Sequence, residues 1–239
     1  GELAWRLGVR AQGLELRLPC QEGIDPCAIP SFDVRDLASD PRGNGIWVAT
    51  ASGVAHRDTV GLGTWTNYAV GPSLPGATRL IRHRGEWIAA FSDGVRVLRG
   101  VEPQLVWELF ADGMTASAGI VDLLSDGEAL VAAGSKGVWI SQGGGSWTLL
   151  GGRAIPVRAV LRTPDGNTWA AGTDAAEVLD GLWKYDGSEW ERKVFEGPSI
   201  RSHYLAIAFD PVGTLHVTTA REATIPMRQT FDGTTWSAP

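Results

Sequence analysis

Arg35, Asp36, Arg79, Asp122, Arg158, Arg201 and His203 are the residues of this chain whose types and spacing offer chemistry. They return at intervals of about forty residues, and guanidinium beside carboxylate binds a polyol or a carboxylate through charge-assisted hydrogen bonds. The same mixture can neutralise itself as a collar of salt bridges. Both readings stand on residue type alone. His203, close to Arg201, is the histidine placed to touch a ligand, whereas His56 reads as part of a third strand and His83 as part of a turn.

Enzymatic motifs are scarce. There is no Gly-rich phosphate loop, no His-Glu-x-x-His and no Gly-x-Ser-x-Gly, and GGGSW (143–147) reads as a hairpin loop. DVRDLASD gathers Asp33, Asp36 and Asp40 without the alternating ligands and Gly of a calcium loop. The expectation is no metal, no cofactor and binding rather than turnover. Catalysis stays open as an alternative, as a lyase or hydrolase built around His203, Arg35 and Asp36.

Composition narrows the partners. A net charge of -6 over 239 residues gives no general attraction to phosphate backbones or anionic lipid. Nucleic acid is therefore not an expected partner. No apolar run approaches the roughly 18 residues that would cross a bilayer, so no membrane insertion is expected. The opening GELAWRLGVR lacks the basic-then-apolar order of a signal peptide, so an exported form would already have lost its signal. Cys20 and Cys27, in PCQEGIDPC, have six residues between them. They read as a disulfide worth about 2.5 kcal/mol in an oxidising compartment, or as two free thiols in a reducing one.

The elements that must position these residues are written in a repeat. VRDLASDPRGNGIWVATASGVAHR (34–57) aligns with VRAVLRTPDGNTWAAGTDAAEVLDGLWKY (157–185), and weaker copies start at Thr78, Ile120 and Tyr204. A second tryptophan closes each copy, at 65, 107, 147, 190 and 236, with spacings of 42, 40, 43 and 46. That is the interval of a four-stranded propeller blade. Asp-Gly and Asn-Gly turns between short apolar runs supply its antiparallel corners. The expected fold is all-β, a β-propeller of four-stranded antiparallel blades at 32–71, 72–113, 114–152, 153–197 and 198–239.

Residues 1–30 hold the Cys loop and a strand pair like the outer half of a blade, so five full blades are joined by an N-terminal half-blade. The total is five or six. Trp47, Trp87 and Trp169 align in the second strand beside Ala49, Ala89 and Ala171 and read as packing between blades, as do the closing tryptophans. Innermost strands line a propeller's channel. They place Arg35, Thr78, Val121, Arg158 and Leu205 in one column, and Asp36, Arg79, Asp122, Ala159 and Ala206 in the next. Ligand binding is expected there, at the channel mouth.

The repeat resembles that of the two-component regulator propellers of bacterial sensor proteins. VRAVLRTPDGNTWAAGT followed by GLWKYDGSEW carries the resemblance best, with its aliphatic strand, Asp-Gly-Asn turn, Trp strand, Gly-Thr and Gly-Leu-aromatic. The resemblance implies a periplasmic or extracellular bacterial module that reads a carbohydrate or other small polar ligand, or a protein partner. A structural subunit of a surface assembly is the third reading.

Overall fold

The computed structural model describes residues 7–10, 13–16, 33–41, 43, 45–58, 65–68, 76–100, 105–115, 118–163, 165–174, 179–193, 202–210, 214–221, 225–231, 235 and 237. Of these, 7–10, 13–16, 173–174, 179–180, 202–206, 218–221 and 225–229 are described by their backbone alone. Regular structure among them is strand, apart from one 3-10 turn at Leu150–Gly152. The chain divides into two compact units, 1–110 and 111–239.

In the first unit, β1 (Leu7–Arg10), β2 (Gly13–Leu16), β3 (Asp33–Ser39), β4 (Gly45–Thr50), β5 (Gly53–Asp58) and β6 (Trp65–Tyr68) form one antiparallel sheet in chain order. A four-stranded sheet follows, of β7 (Ala77–His83), β8 (Glu86–Phe91), β9 (Gly94–Arg99) and β10 (Val106–Leu109). The second unit holds three more sheets. They are β11 (Ile120–Ser125), β12 (Ala129–Gly134), β13 (Gly137–Gln142) and β14 (Thr148–Leu149); β15 (Val157–Arg162), β16 (Thr168–Asp174), β17 (Leu179–Tyr185) and β18 (Trp190–Lys193); and β19 (Ser202–Phe209), β20 (Leu215–Arg221) and β21 (Ile225–Phe231).

The N-terminal strand pair is a hairpin that joins the innermost strand of the first repeat, Leu14 opposite Val34 and Glu15 opposite Asp33. It widens that sheet from its inner edge. In the fifth repeat, Ser237 exchanges hydrogen bonds with Thr230 beyond the third strand, N to O at 2.9 Å and Thr230 N to Oγ at 3.0 Å.

Turn residues behave as their chemistry dictates. Asp186 Oδ1 accepts from the N–H groups of Ser188 and Glu189 at 2.8 and 3.1 Å, and the Ser188 amide is the main reason its carboxyl falls to about 2. Asp126 closes the β11–β12 turn likewise, through the amides of Ala129 and Glu128. Burial pulls its pKa upward, but those amides and the paired Arg162 guanidinium outweigh it and leave the value lowered.

Each repeat has the same irregularity between its first two strands. Pairing runs Val34 to Thr50 and then Asp36 to Ala49, so Arg35 has no opposite residue. Thr78, Val121, Arg158 and Leu205 are skipped in the same way. An extra residue of this kind bends a strand and re-aims its side chain.

Counting from the bulge fixes which way the tryptophans point, because strand side chains alternate between faces. Trp47 lies two residues before Ala49, the partner of Asp36, and Trp169 two before Ala171, the partner of Ala159. Trp87 lies three before Ala90, the partner of Arg79. It therefore faces the other way, and the column aligned from sequence is not one column in space. Trp47 and Trp87 meet in one layer, ring centroids 4.7 Å apart, with Tyr68, Phe91 and Trp107 around them. In the second unit, Val131 and Ala133 meet Val157, Val160 and Ala170, while Trp169 and Ala171 meet Leu215, Val217 and Phe231.

Two of the closing tryptophans latch neighbouring sheets at the outer edge. Trp107 Nε1 donates to the Tyr68 carbonyl at 3.2 Å, and Trp190 Nε1 donates to the Leu150 carbonyl at 2.9 Å. The bonds span 39 and 40 residues, so one device recurs in each unit. Trp107 and Trp147 are buried, as packing requires.

Candidate functional site

The inner-strand column aligned from sequence coincides with the bulges. Arg35, Val121 and Arg158 are exposed there and Thr78 is partly so, donating its hydroxyl to the Ala90 carbonyl at 3.2 Å. Val121 keeps 41% of its surface exposed, although it is aliphatic and sits in a strand. The bulge turns it out. Arg35 bonds the exposed Asp33 carboxylate at 3.3 Å, two residues away along its own strand.

The next column has a different occupation. Asp36 Oδ1 accepts from the amide of Leu37 at 2.9 Å, and its Oδ2 accepts from the amide of Leu80, in the following sheet, at 2.8 Å. Asp122 repeats the arrangement with Leu123 at 3.0 Å and Val160 at 2.9 Å. One carboxylate thus caps an inner-edge amide in its own sheet and another in the next. Such an edge otherwise presents unpaired N–H groups, and bonds to an ionised acceptor are the strong kind. Neither a polyol site nor a salt-bridge collar anticipates this. Arg79 Nη1 lies 3.9 Å from Asp36 Oδ1, beyond hydrogen-bonding range, as a secondary charge partner.

Where Ala159 replaces the aspartate, the apolar layer of Trp169, Leu215, Val217 and Phe231 supplies the cohesion. Space is tight where β15 begins beside β16: a Cβ on Gly172 would lie 2.2 Å from the Pro156 carbonyl oxygen.

The histidines divide by environment. His83 ends strand β7, buried against the Phe110 ring, rather than lying in a turn. His56 stacks on Trp47 at 4.6 Å with Asp40 3.8 Å away, and His216 meets Asp210 at 2.9 Å. His203 lies in β19 opposite Ala220, two positions before the bulge. Its side chain is outside the described residues, as are Arg201, Cys20 and Cys27. Sequence reasoning missed the backbone amides of Leu80 and Val160, which carry no residue-type signal.

No protein-family model matches the chain, and no curated protein matches it in sequence. Solved structures do match. The extracellular domain of a hybrid two component system from B. thetaiotaomicron is 14% identical with a TM-score of 0.63, over 87% of this chain and 29% of that one. The fold is a β-propeller. A xyloglucanase from Xanthomonas campestris shares it at 17% identity and TM-score 0.64, covering 87% of this chain and 38% of that one. Virginiamycin B lyase from Staphylococcus aureus shares it at 14% and 0.60, over 85% of this chain and 71% of that one. The chain spans less than a third of the first of these propellers. Such distant likeness shows architecture alone, since one propeller scaffold hosts both binding and catalysis. Among the described residues no helix is long and apolar enough to cross a membrane.

Proposed function

We propose that this β-propeller is a non-catalytic binding module of an exported bacterial protein, of the two-component regulator propeller type, taking its ligand on the exposed inner-strand bulges. One observation carries the reading: the repeated bulge that presents Arg35, Val121 and Arg158 to solvent from buried sheets. Bulges are over-represented where a side chain must be re-aimed toward a site. Engagement of His56 and His83 in ring packing, and of His216 with Asp210, supports binding over turnover. The extracellular two component system domain among the structural neighbours supports export; a small polar ligand such as a carbohydrate is the reading that the repeat's resemblance implies.

The test is a panel of neutral and acidic sugars and bacterial surface proteins, read by calorimetry for binding and by mass spectrometry for products. Binding of at least one member without product formation is the expected result. Turnover of a bound sugar would instead favour the enzymatic reading, which the xyloglucanase and lyase neighbours represent.

A further inference from the structure

The bulge column and the aspartate column have opposite fates, and their difference assigns a charge preference. In the second unit, Asp122 is the carboxylate on the strand beside Arg158, and both its oxygens face backbone amides, of Leu123 and Val160. Arg158 is exposed at its bulge, with no ion pair or side-chain hydrogen bond among the described residues. Val121, at the matching bulge of β11, offers an exposed aliphatic surface. We propose that Arg158 and Val121 form a subsite for a small carboxylate-bearing ligand, a uronic acid rather than a neutral sugar. This rests on the binding reading above and names the ligand class it takes.

The physical case is one of matching. A guanidinium presents a planar fork of donors that a carboxylate fills in pairs, whereas a neutral hydroxyl engages it singly. With both Asp122 oxygens engaged by amides, Arg158 is the exposed group at this point that can pair with a ligand carboxylate. The chain as a whole carries -6 and does not attract anions over its surface in general, so a bound anion depends on this guanidinium. The first unit differs: the amides of Leu37 and Leu80 hold Asp36 in the same way, but Arg35 is already paired with Asp33, so the subsite is assigned to Arg158.

The experiment uses the full chain and three probes, sodium glucuronate, glucose and sodium acetate, at matched ionic strength. Side-chain Nε–Hε and backbone amide resonances are followed by NMR. Glucuronate should saturate shifts at the Arg158 Nε–Hε and the Val121 amide, acetate should move the same signals, and glucose should bind about tenfold or more weakly. Arg158→Gln, at an exposed position, should keep the wild-type melting temperature and lose the glucuronate response. Arg158→Lys should retain part of it. Equal affinity for glucuronate and glucose, or unchanged glucuronate binding in Arg158→Gln, would overturn the charge preference while leaving a binding module standing. No response of these signals to either carboxylate would overturn the subsite, and the separate panel would still decide the binding reading.

Discussion

Removing the Asp122 carboxylate should destabilise the second unit far more than a surface substitution does. Asp122→Ala deletes two bonds from an ionised acceptor, at 3.0 Å to Leu123 and 2.9 Å to Val160, and leaves both amides to find other partners. Bonds to charged groups contribute about 1.5–3 kcal/mol each, and partial access of water to this edge discounts the sum to about 3 kcal/mol. For a chain of this size that corresponds to a melting temperature lower by about 6–12 °C. Asp122→Asn keeps one acceptor oxygen and places an amine against the other N–H, so it should recover less than half of the loss. The assay is thermal unfolding followed by tryptophan fluorescence and far-UV circular dichroism, with Arg158→Ala as an exposed control. A shift below about 2 °C for Asp122→Ala would mean that the carboxylate does not clasp the sheets.

Other perturbations follow from the same geometry. Trp47 and Trp87 share one layer, so their truncations should be non-additive in a double-mutant cycle by about 0.5–1.5 kcal/mol; additivity would place the rings in separate layers. Trp190→Phe removes the donor to the Leu150 carbonyl and should cost about 1–2 kcal/mol by denaturant unfolding, and a cost near zero would dismiss that latch. Gly172→Ala drives a methyl against the Pro156 carbonyl and should lower stability by about 2 kcal/mol or more, with no loss if the strand end is freer than described. The Asp186 carboxyl is depressed to about 2 from an ordinary 3.8. Its stabilising contribution is complete above the ordinary value and is lost as pH falls through about 2, so a 13C titration should find its midpoint there. A midpoint near 3.8 would show that the turn bonds are absent.

Much of the architecture was legible because propellers repeat their chemistry as well as their fold. Trp65, Trp107 and Trp190 fall in fourth strands, and the Asp-Gly pairs at 126–127, 165–166 and 186–187 fall between strands. The column of Arg35, Thr78, Val121, Arg158 and Leu205 was legible as a column but not as a bulge, because an unpaired residue leaves no composition signal. In a strand one position is the opposite face. Trp47 pairs with Ala38, two positions past Asp36, and Trp87 with Arg82, three past Arg79, so two rings aligned by sequence face each other in the structure. Asp36 and Asp122 show a second limit. Their partners are backbone N–H groups, which every non-proline residue carries, so residue type alone could not tell a clasp from a ligand site.

The most direct test is amide hydrogen exchange at Leu80 and Val160, the two inner-edge N–H groups that receive a carboxylate from the preceding sheet. Both should be protected in the native protein although they lie at a strand edge. Leu80 should lose protection in Asp36→Ala and Val160 in Asp122→Ala, each without the other. Fast exchange of both amides in the native protein, or protection that survives loss of the aspartate, would contradict the clasp and return Asp36 and Asp122 to the candidate ligand groups.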